Sequence, residues 1–251
     1  MCNTRIVVRK CITIFGKIVL GILLLGVVYV ATLCFPQFAF KNKLTVGFVT
    51  VYSDEEIPVA EMTAILETAE SRLQKSVLYK QGVRQRIFIA NNPLRWRYFT
   101  NINYNVGGLN YVPLRHNIFL RKVDVKNNRL YGPSGKISGG DRTLAYYMTH
   151  EMTHTLEYQS MPRYKYPFKT NWVLEGYCEY VAHDSQSYEM ALDKYLHTPE
   201  NMGEKYYTRA RTMVAYLLEV EKLPISSLWS KVGEYDIILK RAIPDDEPAL
   251  N

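Results

Sequence analysis

The sequence predicts a mixed α+β domain, a small mixed sheet followed by a helical C-terminal subdomain, carried behind an N-terminal transmembrane helix. Three observations predict it. A run from Ile18 to Phe40 holds twenty-three residues without a charge. Strand-like segments then flank an amphipathic helix, and the second half of the chain reads as capped helices separated by prolines.

The apolar run is long enough to span, because a helix rising about 1.5 Å per residue needs roughly twenty residues to cross the hydrocarbon core. Arg5, Arg9, Lys10 and Lys17 precede it, while Lys41 and Lys43 after it are soon met by Asp54, Glu55 and Glu56. The positive-inside bias then makes 1–17 a cytoplasmic basic segment, 18–40 a single-pass anchor and 41–251 one extracytoplasmic domain. A cleaved signal peptide is the rival reading, which Phe38 disfavours by spoiling the small-x-small pattern ahead of Phe40. Bulky Leu33 likewise disfavours lipoprotein processing at Cys34.

A chain of 251 residues, 47% of them hydrophobic, buries a core without staples. Of its 4 cysteines only Cys178 lies beyond the anchor, so the domain has no internal disulfide to form. Four of the 31 cations precede residue 41, leaving 27 against 24 acids, so the domain is only mildly basic. The charge is nevertheless segregated: Arg72 to Lys136 holds thirteen cations against one acid, Asp124. Within it, Arg95-Trp96-Arg97-Tyr98 reads as alternating positions that share a face, a candidate surface for an anionic peptide or lipid headgroups. An outward-facing domain excludes nucleic acid as the partner.

In chain order, Leu44 to Tyr52 reads as a strand. Ser53 and Glu56 suggest a capping box ahead of a helix from about Glu56 to Val77, with Val59, Met62, Ile65, Leu66, Ala69 and Leu73 on its apolar stripe. Arg84 to Ala90 is the next strand, closed by the turn signal Asn91-Asn92-Pro93, and Asn117 to Lys122 another, with a flexible loop expected at Gly107-Gly108. Leu130 to Asp141 reads as a loop, with Asp141 capping a helix that runs to about Tyr158. Pro162 and Pro167 break the chain, Asn171 caps a helix from Trp172 to about His183, another runs from about Thr208 to Glu221, and the tail is less regular.

The chemistry concentrates on two of these helices. His150-Glu151-Met152-Thr153-His154 is an HExxH sequence, whose histidines at i and i+4 project from one face toward one metal. Glu151, about a hundred degrees round the helix, stands beside that metal and within reach of a water, as a base must. A catalytic zinc usually has three protein ligands. The third donor is offered by Trp172-Val173-Leu174-Glu175-Gly176-Tyr177-Cys178-Glu179-Tyr180, with twenty residues between His154 and Glu175. Glu175 and Glu179 are again i and i+4. Like carboxylates at that spacing repel slightly unless a cation lies between them. The economical assignment makes Glu175 a ligand and Glu179 an acceptor that orients a ligand histidine.

These residues resemble the gluzincin metallopeptidases, the superfamily of thermolysin and aminopeptidase N, and most closely its compact peptidase-MA-like members. The resemblance rests on HEMTH followed by WVLEGYCEY and covers Asp141 to His183. It implies a zincin-like fold with an active-site helix, Zn2+ held by His150, His154 and Glu175, Glu151 as catalytic base, Glu179 in support, and a peptide or protein as substrate. It further implies a donor for the tetrahedral oxyanion from the C-terminal part, for which His183, Tyr206, Tyr207 and Arg209 are candidates. An edge strand that binds extended substrate is expected at Asn117 to Lys122.

Two other readings stand beside this one: a zinc hydrolase of a non-peptide amide, and a membrane-tethered binding or scaffold protein in which the motif is vestigial. His116 and His197 read as ordinary, partly exposed residues. Cys178, about one face away from the two glutamates, reads as a buried structural thiol and not a nucleophile.

Overall fold

The computed structural model describes residues 2–138, 140–162, 166, 171–183, 187–200 and 203–244, with residues 2–12 as backbone alone. A single helix, α1 (Cys2–Cys34), opens the chain. Its segment Thr13–Cys34, 22 residues with a mean hydropathy of 2.4, is long and apolar enough to cross a membrane, a property that a signal sequence shares. The helix stops at Cys34, short of Phe40, because Pro36–Ala39 form a 3-10 turn that lays Phe40 into the domain. Asn117 closes the helix end by donating from Nδ2 to the carbonyls of Leu33 (2.6 Å) and Cys34 (3.1 Å).

The expected single strand at Leu44 to Tyr52 is a hairpin, β1 (Asn42–Val46) and β2 (Val49–Ser53), paired antiparallel with Val46 opposite Val49. Gly47 supplies the reversal at φ +55°, where a side chain would be strained. Next comes α2 (Val59–Gln74), which begins after Pro58 with no side-chain cap. The Ser53–Glu56 box does not form: the Ser53 hydroxyl accepts instead from the Glu55 N–H at 3.1 Å. The expected stripe is otherwise in place, with Met62, Ile65, Leu66, Ala69 and Leu73 buried and only Val59 exposed.

β3 (Gln85–Ile89) leads into α3 (Pro93–Thr100), where the turn signal proves to be a helix cap: Asn92 Oδ1 accepts from the N–H groups of Leu94 and Arg95. Arg95 and Arg97 are therefore helical neighbours two positions apart and share no face, contrary to the strand reading. Gly108, expected in a flexible loop, begins β4 (Gly108–Tyr111), and β5 (Asn117–Leu120) follows. The sheet order is β1-β2-β3-β5-β4, with β2, β3 and β5 parallel and an antiparallel strand at each edge. Asn117 to Leu120 thus lies inside the sheet, paired on both sides, and the edge is β4. A short hairpin, β6 (Val123–Asp124) and β7 (Arg129–Leu130), leads away from it.

The remainder is helical: α4 (Leu144–Ser160), α5 (Trp172–Ala182), α6 (Tyr188–Leu196) and α7 (Glu204–Ala215), which runs into a wider π turn over Tyr216–Val220. The less regular tail contains α8 (Ile225–Leu228) and α9 (Tyr235–Ala242). Pro167 lies outside the described residues.

Strand alternation splits the core in two. Ile87, Ile89, Ile118 and Leu120 point to one face, where α2, α4, α5 and α7 bury Met148, Met152, Val173 and Val214. Phe88 and Phe119 point to the other, where Phe40, Trp96, Phe99 and Leu33 cover them. Each large side chain so buried contributes about 1.5–3 kcal/mol. The end of α1 and α3 therefore lie on one side of the sheet, and the motif-bearing helices α4 and α5 on the other.

Candidate metal centre

Thr143 starts α4, accepting from the Tyr146 N–H at 3.1 Å, whereas Asp141 turns away to His183 Nδ1 at 3.2 Å. Met148, Met152 and Leu156, at i, i+4 and i+8, press one face of α4 into the core, which fixes the direction of His150 and His154. Asn171 caps α5 as expected, its side chain accepting from Val173 and Leu174. Behind α5, a Cβ on Gly176 would overlap the backbone carbonyl of Ala210, so the bare glycine is what lets α7 approach.

The two helices bring the four motif residues together. Nε2 of His150 lies 3.2 Å from Glu175 Oε2, and Nε2 of His154 lies 3.9 Å from Glu175 Oε1. Both imidazoles thus turn Nε2 to one carboxylate. The opposite nitrogens meet other carboxylates: His150 Nδ1 lies 3.0 Å from Glu179 Oε1, and His154 Nδ1 3.0 Å from Glu157 Oε2. The hydrogen bond between His154 Nδ1 and Glu157 fixes the tautomer that leaves Nε2 of that ring a lone pair, whereas Glu179 approaches His150 Nδ1 without hydrogen-bond alignment and acts on it by charge. Glu179 lies beside His150 as a charge partner. Glu157, three residues after His154 and outside the HExxH motif, is the hydrogen-bond partner of that ring, at an i+3 spacing visible in the sequence.

Glu179 is held from several directions. Tyr146 donates its hydroxyl to Oε1, His183 Nε2 lies 3.4 Å from Oε2, and Arg142 Nη2 3.7 Å from it. Burial alone would raise its pKa, but His150, His183 and Arg142 overcome that and hold it well below the usual carboxylate range. His183 is therefore a support behind Glu179 and does not face the Nε2 atoms.

Glu151 is buried, and a Cβ on Gly108 would stand 2.5 Å from its Oε1. Strand β4 and α4 are further tied by Asn110, whose Nδ2 donates to the Glu151 carbonyl at 2.7 Å and to Thr155 Oγ1 at 2.9 Å. The Glu151 carboxylate thus sits in the seam between helix and edge strand. Burial raises its pKa above the ordinary value, against the pull of His150 and His154.

Four carboxylates, from Glu151, Glu157, Glu175 and Glu179, crowd around two imidazoles. Burial would favour neutral imidazoles, yet the surrounding acids push the pKa of both His150 and His154 up, and burial pushes that of Glu157 up to about 7. The cluster gathers protons where a divalent cation would neutralise the same charge. The chemistry of the donor set fits a metal.

A second donor set shares the histidines. Donor atoms of His150, His154 and Cys178, all buried, lie within 4.8 Å of one another, a group able to hold a metal ion. The Cys178 sulfur lies 3.2 Å from His154 Nδ1, the nitrogen already bonded to Glu157 and turned from Glu175. Without a metal, burial and the acids raise the thiol pKa well above its ordinary value; a cation bound there would displace the thiol proton. Cys178 is buried as expected, but it touches the cluster and is not a face away.

Of the remaining candidates, Tyr207 lies with its ring 6.3 Å from that of His150. Arg142 covers the Tyr207 ring at 5.2 Å. Tyr206 is half-exposed, and Arg209 turns to the Tyr195 hydroxyl at 3.2 Å and Glu200 at 3.6 Å. A cavity of about 200 Å³ at the ends of β2 and β3, between Glu55, Lys122 and Tyr131, shares no residue with the cluster. No protein-family profile and no curated protein matches this chain.

Proposed function

We propose that this chain is a membrane-anchored, zinc-dependent peptidase of the gluzincin kind, with a zincin-like domain held outside the cytoplasm by one N-terminal span. The observation that carries the reading is the convergence of His150 Nε2 and His154 Nε2 on the Glu175 carboxylate, with Glu151 alongside. His150, His154 and Glu175 are the zinc ligands, and Glu179 and Glu157 orient the two imidazoles from behind. Zinc held there supplies Lewis-acid polarisation of a carbonyl and lowers the pKa of a water toward neutrality.

The protein's own residues do the rest. Glu151 takes the proton of the attacking water at its carboxylate and passes it to the leaving nitrogen, a shuttle favoured by its raised pKa. Tyr207 donates its hydroxyl to the developing oxyanion; burial raises its pKa, so the phenol keeps its proton. The outer edge of β4 accepts an extended peptide by strand addition, the role expected of Asn117 to Lys122.

Profiling the full chain against a peptide library, with metal analysis alongside, tests the proposal. About one zinc per chain and cleavage abolished by Glu151→Gln are expected. Zinc with cleavage of non-peptide amides alone would move the reading to that class of hydrolase. Absence of bound zinc and of turnover leaves a binding protein.

A further inference from the structure

The far side of the sheet, away from the metal centre, carries a surface that the peptidase reading does not use. Helix α3 turns Trp96 and Phe99 into the core and leaves Leu94 and Tyr98, one turn apart, facing out, 79% and 45% exposed. Ile102, in the turn that follows, is 86% exposed, and Phe38, between α1 and β1, is 73% exposed. Four large apolar side chains in water on one layer call for a partner.

The position of this layer names the partner. Tyr98 packs edge-on against Tyr29 at 5.4 Å, and its hydroxyl bonds Thr32 at 2.8 Å. Tyr29 lies five residues before the end of the apolar segment, about 7.5 Å inside it along the helix axis. Helix α3 therefore lies alongside the last turns of α1, not beyond them. A bilayer that takes in Thr13–Cys34 brings its headgroups to the level of Tyr98.

The charges agree. Arg115 covers the ring of Phe35 at 4.4 Å, directly after the end of α1, and Arg86 donates to the Arg115 carbonyl at 2.8 Å. Arg97 stands one residue from Tyr98 on the exposed side of α3. Among the described residues, none of Arg86, Arg97 and Arg115 makes an ion pair with a carboxylate, whereas Arg95 is taken by Asp54 at 2.5 Å. Arginine beside tyrosine at the end of an apolar helix suits the phosphate layer of a phospholipid leaflet.

We propose that α3, the turn after it and Phe38 form a second membrane contact. Leu94, Tyr98 and Ile102 enter the boundary between headgroups and acyl chains, and Arg97 and Arg115 hold lipid phosphates. The contact rests on α1 being a retained span and is independent of the metal centre. It fixes the sheet against the bilayer and places α4 and α5 on its far side.

Brominated-lipid quenching in the full chain tests it, with Leu94→Trp, Ile102→Trp, Val77→Trp and Val28→Trp compared in nanodiscs of phosphatidylcholine with phosphatidylglycerol. Val77 is 75% exposed in the turn that follows α2, the helix on the opposite side of the sheet, and Val28 lies within the span. With the signal of Trp96, Trp172 and Trp229 in the parent chain subtracted, quenching at positions 94 and 102 is expected to exceed that at 77 by about twofold or more. Arg97→Glu with Arg115→Glu is expected to reduce the excess. Strong quenching at 28, with 94 and 102 no better than 77, overturns the contact and leaves the span. Weak quenching at 28 overturns both. Emission at 94 that follows the number of chains per disc, and not the brominated lipid, assigns the face to a second copy and overturns the lipid contact.

Discussion

Gly108 and Glu151 compete for one space: a Cβ on the glycine would stand 2.5 Å from Oε1 and 2.8 Å from Cγ of the glutamate. Strand β4 passes so close to α4 that only a residue without a side chain leaves room for the carboxylate. The seam is locked by Asn110, which bonds the Glu151 carbonyl and Thr155.

Gly108→Ala should therefore push the Glu151 carboxylate aside without touching a ligand. A displacement of about 1 Å costs on the order of a hundredfold in rate. The expected result is kcat lowered by about that factor with bound zinc unchanged. Steady-state kinetics with metal analysis on the same preparation checks it, and an unimpaired rate would remove Glu151 from the role of base.

The pairing of His150, His154, Glu175 and Glu179 was legible because helical spacing is a local rule, and two capped helices with i and i+4 donors leave few other arrangements. What lay beyond reach were relationships between distant segments. Nothing within Gly107-Gly108 says that it borders Glu151, and nothing local to Asn117 says that the preceding strand, β4, pairs on its outer side and places it inside the sheet. Tyr207 is told from Arg209 only by contacts between distant segments, the ring of His150 for the one and Tyr195 and Glu200 for the other. Asn92-Pro93 fits a turn and a helix start alike, because the same residues open both, and the buried positions of Trp96 and Phe99 decide between the two.

The two donor sets give opposite expectations for metal content. Glu175→Ala removes the carboxylate that both Nε2 atoms face and should release the zinc, whereas Cys178→Ala should retain about one equivalent. Glu157→Gln and Glu179→Gln keep the ligands but loosen the imidazoles, and should weaken zinc affinity by about 10–100-fold. Competition against a chromogenic chelator measures all four. Zinc lost from Cys178→Ala and kept by Glu175→Ala would assign the site to the thiolate.

Without metal, stability should decline as pH rises through neutrality. The pKa values of His150 and His154 are raised by their acids despite burial, so their contribution is complete below the ordinary imidazole value and fades above the raised one. Glu157, pushed up to about 7 by burial, keeps its proton in the fold where the unfolded chain has released it, so it too destabilises with rising pH. Glu179 acts in the opposite sense: its lowered pKa gives stability present above the usual carboxylate range and lost as pH falls. The metal-free optimum is therefore mildly acidic. Zinc bound as proposed would replace the same protons, so its gain in Tm should grow between about pH 5.5 and pH 8, and Glu157→Gln should flatten the metal-free slope. Thermal melts with zinc and with chelator read this directly; a zinc gain independent of pH contradicts it.

Tyr207 differs from its neighbours in facing the ligand set. Its ring lies 6.3 Å from His150, while Arg209 spends its guanidinium on Tyr195 and Glu200. Burial raises the phenol pKa, so the hydroxyl remains a donor throughout the physiological range. A donor aimed at charge that develops only in the transition state acts on kcat and barely on KM. Tyr207→Phe should then lower kcat by about 10²–10³ with zinc content and KM little changed. Arg209→Ala should leave kcat within about threefold of the parent, because its guanidinium is turned to Tyr195 and Glu200. If Tyr207→Phe raises KM at constant kcat, the hydroxyl binds substrate in its ground state, and the oxyanion donor lies elsewhere.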